Sequence, residues 1–238
     1  MQKMREKINV ILPQYTTKFM AKKIINNKEY WDNFYEDFKE SSETNFARFC
    51  FEKIKNIASV SLIELGCGNG RDSIFFSSHK IPVLGIDLSE IAINNLNNLF
   101  LDNSKFFNCD FANIESIDST LKEFTKNKIK VFYSRFSLHC VNETVEDHLL
   151  NWIRNQMRNE DMFFIETRTT EDELFKVGIE TDGGYFTDHY RRFIDYRKFE
   201  NKINQIGFEV DFQIFDRGLA KYKEEDPKIM RFILKSGK

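Results

Sequence analysis

The chain has 238 residues, with 35 Lys plus Arg against 37 Asp plus Glu and a formal charge of −2, so it carries no cationic excess aimed at a nucleic-acid backbone. Hydrophobic residues at 41%, 25 of the residues being Phe, are enough for one sizeable core, and a single domain with an insertion is expected. The four cysteines (Cys50, Cys67, Cys109, Cys140) fit neither a zinc site nor a disulfide framework, the basic start holds an apolar run too short for a secretory signal, and no window approaches the roughly 20 apolar residues of a membrane span, so a reduced, cytoplasmic protein without a membrane partner is expected.

Residues 1–44 read as an irregular or helical lead-in with an aromatic cluster, EYWDNFYEDF. NFARFCFEKIKNIA then sets Phe46, Phe49, Cys50, Ile54 and Ile57 on one helical face. VSLIEL is a short buried strand that ends at Gly66, RDSIFFSS starts a helix, and IPVLGIDLS is a second strand whose Asp87 falls where the apolar run stops. EIAINNLNNLF is helical by pattern, and SKFFNCDF is a third strand ending near Asp110. IKVFYSRFSLH is a fourth strand running into a loop. ETVEDHLLNWIRNQM follows as a helix with Val145, Leu149, Trp152, Ile153 and Met157 on one stripe and Thr144 with Asp147 as a capping box. MFFIETRT is a fifth strand, about residues 169–194 interrupt the alternation as an insertion, and YRKFENKINQIGF is a helix stopped by Gly207. FEVDFQIF and KIMRFILKS close the chain as an antiparallel pair. This alternation predicts an α/β fold with a doubly wound, mostly parallel sheet and an antiparallel C-terminal strand. Ligands of such sheets bind beyond the carboxyl ends of the strands, where Glu64, Gly66, Asp87, Asp110, Ser134 and Glu166 fall.

Gly66, Gly68 and Gly70 make a tight strand-to-helix turn in ELGCGNGRDS. Glycine permits positive φ and lets a ligand approach the backbone. Asp87 at the next tip suits two ribose hydroxyls, and Asp110 at the third suits an adenine amino group. The spacing is G-x-G-x-G, without the pyrophosphate geometry of G-x-G-x-x-G. Glu64 beside the loop repels a pyrophosphate and favours a sulfonium or ammonium.

LIELGCGNG with LGIDLS and NCDF resembles the signature segments of class I S-adenosylmethionine-dependent methyltransferases over about residues 45–235. The resemblance implies a Rossmann-like, seven-stranded sheet and S-adenosylmethionine as cofactor. Residues Gly66 to Gly70 would line its methionine part, Asp87 would hold the ribose, and Asp110 and Phe111 would face the adenine. The cofactor-contacting set so implied is Glu64, Gly66, Cys67, Gly68, Asn69, Gly70, Asp87, Leu88, Asp110, Phe111, Ser134 and Tyr30. Further segments (YWDNFY, NFARF, GNGRDSIFF, YSRFSLH, IETR, HYRRFID, GLAKYKEEDPKIMRFI) resemble methyltransferases found with bacterial surface-polysaccharide genes, some associated with O-methyl phosphoramidate decoration of capsules. A cytidine-diphosphate-linked phosphoramidate would then be an acceptor, although no cytidine pocket is visible in the sequence.

Past the fourth and fifth strands the sequence gathers Arg135, His139, Glu166 and Arg168, and the insertion adds His189, Tyr190, Arg191 and Arg192. Arginine forks match phosphate or carboxylate oxygens, so the cluster reads as a pocket for a small anionic substrate. Arg135, His139, Arg168 and His189 are the catalytic candidates, and Glu166, Tyr190, Arg191 and Arg192 would bind the substrate. Against this stand ordinary readings: Arg191 or Arg192 paired with Asp188 or Asp195, and Arg168 in an ion pair with Glu166. An already anionic acceptor needs no base, which makes Arg168 matter more to turnover than His139; a hydroxyl or amine acceptor needs His139 or His189 as base. Tyr30, Trp31 and Tyr35 serve either as a lid over a sulfonium or as helix packing. A nicotinamide oxidoreductase and a non-catalytic cofactor-binding protein remain as alternatives. A nucleic-acid base methyltransferase is disfavoured, because YSRF stands where such enzymes carry a proline-containing segment.

Overall fold

A computed structural model describes residues 27–37 and 42–237; the basic start and the remainder of the lead-in lie outside the described residues. Helix α1 (Asn27–Asp37) is followed by α2 (Asn45–Ile54), β1 (Val60–Leu65), α3 (Arg71–Ser78), β2 (Val83–Asp87), α4 (Glu90–Asn97) and β3 (Lys105–Asn108). After a 3-10 segment (Phe111–Ile117) come α5 (Asp118–Phe124), β4 (Ile129–Arg135), α6 (Glu143–Gln156) and β5 (Met162–Arg168). Three short strands, β6 (Ile179–Thr181), β7 (Gly184–Phe186) and β8 (Tyr190–Arg191), form a separate sheet within the interrupting segment. Helix α7 (Tyr196–Ile206), β9 (Phe208–Asp216) and β10 (Ile229–Ser236) complete the chain.

The main sheet has seven strands in the order β3-β2-β1-β4-β5-β10-β9, with β10 antiparallel to both neighbours and the other pairings parallel. The expected doubly wound sheet is therefore present. Both faces are covered because side chains alternate along each strand. Ile63 and Leu65 of β1, Phe132 of β4 and Phe163 of β5 join Leu149 and Ile153 of α6 and Phe199 of α7 on one face. Leu62, Val131, Tyr133 and Phe164 join Phe46 and Cys50 of α2 and Phe76 of α3 on the other.

Local chemistry sets most helix ends. Thr44 caps α2 by accepting from Ala47 N, Ser89 caps α4 by accepting from Ala92 N, and Gly207 ends α7 with φ +94°. Three expectations need correction. Helix α6 is capped by Asn142, whose side chain accepts from Val145 N, so Thr144 and Asp147 form no capping box. Helix α4 stops at Asn97, and Leu99 and Phe100 beyond it are exposed. Strand β3 ends at Asn108, and Asp110 caps the 3-10 segment by accepting from Ala112 N. The sequence reading assigns no element to 112–127, where most of that 3-10 segment and α5 lie.

Candidate active site

A cavity of about 720 Å³ opens beyond the carboxyl ends of β1 to β4. Over β1, β2 and β3 its wall contains Glu64, Gly66, Cys67, Gly68, Asn69, Asp87, Leu88, Asp110 and Phe111. Gly66, Gly68 and Gly70 all take positive φ, as the tight turn requires. Gly68 N donates to Asp87 Oδ2 at 2.7 Å and Ser89 N to Asp87 Oδ1 at 2.8 Å. Each carboxylate oxygen keeps a lone pair to accept a further hydroxyl. Burial pushes the Asp87 carboxyl above its ordinary range, partly offset by those two N–H donors. Gly70 and Ser134 do not reach the wall: a side chain at Gly70 would collide with Leu96 of α4, and Ser134 is buried against Ser137, 2.6 Å between hydroxyls.

Two further acids stand behind the loop. Glu64 accepts from the Ser73 hydroxyl, and burial, with the charge of Asp72 next, pushes its carboxyl well above the ordinary range. Asp72, buried as well, accepts from Thr44 N and Thr44 Oγ1, both at 2.8 Å, and from the Tyr133 hydroxyl at 2.6 Å. It ties the start of α2 to the glycine loop. A buried, net acidic cluster of this kind is offset by a cationic ligand.

Helix α1 covers this part of the cavity. Trp31, Phe34 and Tyr35 are in the wall, and the Tyr35 hydroxyl lies against Gly68 where any Cβ would stand. At one flank Asp32 Oδ1 accepts from Ser89 Oγ at 2.7 Å. At the other, Tyr30 donates to Asp188 Oδ2 at 3.1 Å, and the Tyr30 and Trp31 rings lie 4.5 and 5.0 Å from the His189 ring. Tyr30 thus holds the helix to the insertion and is not itself in the wall.

Over β4 the wall is formed by Arg135, Phe136, Ser137, Cys140, Val141, Asn142 and Val145, with Thr181, Asp182 and Tyr190 from the insertion. Phe136 has φ +53°, a conformation that costs a bulky residue about 1–3 kcal/mol and clusters at functional sites. Its ring lies 4.5 Å from the Arg135 guanidinium and 5.7 Å from that of Arg168. Arg135 Nε donates to Glu166 Oε1 at 2.9 Å, and Arg231 Nε donates to Glu166 Oε2 at 2.6 Å. Glu166 is 1% exposed and sits between the two arginines, away from the cavity.

The family model for a methyltransferase domain matches residues 58–192, more than half of the chain. The chain belongs to this methyltransferase family. Among solved structures, a methyltransferase from Streptomyces caelestis, CcbJ, is 12% identical with TM-score 0.65, covering 88% of this chain and 98% of its own. An S-adenosylmethionine-dependent methyltransferase from Anabaena variabilis is 16% identical with TM-score 0.65, covering 88% of this chain and 93% of its own. The 1,6-didemethyltoxoflavin-N1-methyltransferase of Burkholderia thailandensis, solved with its substrate and S-adenosylhomocysteine, is 12% identical with TM-score 0.59, covering 96% of this chain and 94% of its own. At these identities the likeness is one of fold. No curated protein matches the chain in sequence.

In this methyltransferase the cationic cluster expected past β4 and β5 is taken apart by pairing. Arg168 donates to Asp172 at 2.9 Å and to Glu225 at 2.7 Å, not to Glu166. Arg191 donates to Asp188 and to the Thr187 hydroxyl, both at 2.7 Å. Arg192 is buried and bonds to Glu146 and to Val141 O. His139, 4% exposed, has its Nδ1 3.4 Å from the Thr167 hydroxyl; burial, then the charge of Arg168, holds its pKa well below the usual value. His189 Nδ1 lies 3.2 Å from Asp188 but out of line for a hydrogen bond, and burial lowers its pKa too. None of these five residues lines the cavity. Of the acceptor-side candidates, Arg135 and Tyr190 do. The sequence reading missed Phe136, Asn142 and Asp182; the helix-capping position of Asn142 and the turn signal Asp182-Gly183-Gly184 were the available clues.

Proposed function

We propose that the protein is an S-adenosylmethionine-dependent methyltransferase of a small molecule. The observation that carries this reading is the trio of buried carboxylates, Glu64, Asp72 and Asp87, grouped around a positive-φ glycine loop in a methyltransferase domain. The donor set fits the cofactor: Asp87 offers two oxygens to ribose hydroxyls, Glu64 and Asp72 suit its positive charge, and Asp110 with Phe111 stands where an adenine would lie. When bound, the cofactor supplies an electrophilic methyl group on a sulfonium. The chain's own part is to orient cofactor and acceptor and to exclude water, the last by α1.

The finer reading is methylation of an anionic or nucleotide-linked metabolite, such as a phosphoramidate group of a capsular polysaccharide. It draws support from the sequence resemblance and from Arg135 in the wall; the pairing of Arg168, Arg191 and Arg192 withdraws the rest. With His139 and His189 outside the wall, neither serves as base in this arrangement. Incubation with methyl-labelled S-adenosylmethionine and a panel of nucleotide-linked phosphoramidates, sugars, small acids and amines, read by mass spectrometry, tests the proposal. It predicts transfer of one label to an acceptor. Absence of any transfer together with absence of S-adenosylhomocysteine binding would overturn it.

A further inference from the structure

The sheet order divides the cavity. The tips of β3, β2 and β1 bear the acids assigned above to the cofactor, and the tip of β4 with the insertion bears the remaining wall. That remaining wall sets Phe136, Val141, Val145 and the ring of Tyr190 among the polar Ser137, Asn142 and Thr181, the Cys140 thiol and two charged groups, Arg135 and Asp182. Arg135 is already bound to Glu166. Asp182 is in the opposite condition. Its turn is pinned across the cavity from two directions, because Asn142 Nδ2 donates to Asp182 Oδ2 at 2.8 Å and the Tyr190 hydroxyl donates to Asp182 O at 2.8 Å. Asp182 is exposed at the cavity rim, and among the described residues Asn142 is the one donor to its carboxylate. The residue takes φ +47°, a left-handed conformation that Asp adopts more readily than most residues. Two hydrogen bonds, one to the carboxylate and one to the backbone carbonyl, therefore hold Asp182 at the acceptor side, with aromatic, aliphatic and polar side chains beside it.

Resting on the methyltransferase reading and set against its anionic-acceptor refinement, we infer that Asp182 is the specificity-determining residue for the acceptor, and that the acceptor is a small molecule that presents an N–H or O–H donor to Asp182 Oδ1. An ammonium gains both a hydrogen bond and charge attraction there, a hydroxyl gains the hydrogen bond, and a carboxylate meets repulsion. The other arginines on this side are drawn off by acids, Arg168 by Asp172 and Glu225, Arg191 by Asp188 and Arg192 by Glu146, and Arg135 shares Glu166 with Arg231.

Three ring-matched probes test this: 2-phenylethylamine, 2-phenylethanol and phenylacetate, titrated by calorimetry into the full chain saturated with S-adenosylhomocysteine. Saturation is measured first, so a failure of the methyltransferase reading shows as no S-adenosylhomocysteine binding by the wild-type protein, separate from any result with the probes. The expected order is the amine, then the alcohol, then the acetate, with the amine at least about tenfold tighter than the acetate. Asp182→Asn should erase the preference of the amine over the alcohol and leave S-adenosylhomocysteine affinity within about twofold; Asp182→Glu should restore part of the preference. The acetate binding tightest, an unchanged order in Asp182→Asn, or no binding of any of the three probes would overturn the inference.

Discussion

Over β1, β2 and β3 the cavity wall keeps its acids facing the ligand space; over β4 and β5 the charged side chains find one another and leave the wall. Asp87 is held by backbone N–H groups, of Ser89 two residues on and of Gly68 in the glycine turn 19 residues earlier. Arg168, by contrast, is claimed by side chains, of Asp172 four residues on and of Glu225 57 residues distant. Backbone donors in a glycine turn announce their geometry in sequence, and the choice of side-chain ion pair does not.

The comparison can be broken most forcefully at Glu166. Removing it leaves Arg135 and Arg231 without the carboxylate they share in a largely buried setting. Glu166→Ala should lower stability by about 3–5 kcal/mol in urea denaturation. A loss below about 1 kcal/mol would return Arg135 to the status of a substrate-facing cation. On the other side, Gly68→Ala combines φ +52° with a methyl group against the Tyr35 hydroxyl. It should weaken S-adenosylhomocysteine binding by about 2 kcal/mol, roughly 30-fold, by strain and by displacement of α1.

The acid response sharpens the same contrast. His139 is buried, which holds its folded pKa well below the ordinary histidine value of about 6.5. As pH falls from about 6.5 toward that lower value, the unfolded chain takes up a proton that the folded chain refuses, so stability is lost at about 1.4 kcal/mol per pH unit for this group. Burial gives His189 the same sign. His139→Gln should therefore flatten part of the acid limb of a stability–pH curve; an unchanged limb would mean that His139 is accessible and chargeable. The smallest effect is expected at Tyr30→Phe, which deletes the hydrogen bond to Asp188 but leaves the ring on His189. A loss of about 1 kcal/mol, seen as S-adenosylhomocysteine leaving roughly fivefold faster in stopped flow, is the expectation. No change in release would make α1 simple packing.

Much of the fold was legible from period and punctuation. Leu62 and Ile63 point to opposite faces of a buried strand, and a continuous apolar run such as VSLI has to be buried on both. The glycine turn and Asp87 were legible because positive φ and a strand-end acid are local requirements. Residues 112–127 were missed because a 3-10 turn leading into a short helix offers little periodicity. The pairing on the acceptor side was not legible for a different reason. HYRRF looks like one cationic patch, but Arg191 ends the short strand β8 and turns to Asp188, whereas Arg192, just beyond the strand, is buried against Glu146. Arg135 reached the wall as expected, but with a carboxylate attached. YKEEDP, which shows no role by sequence, supplies Glu225 to Arg168.

The central claim is that a cationic, ribose-bearing cofactor is held at the tips of β1 and β2 by Asp87 and its neighbours. Calorimetry of S-adenosylhomocysteine against wild type and Asp87→Ala tests it most directly. The account predicts saturable one-to-one binding by the wild type and a loss of about 100-fold or more in the variant, from the hydroxyl contacts together with the loop geometry that Asp87 holds. Full affinity in Asp87→Ala, or no binding by the wild type, would contradict it.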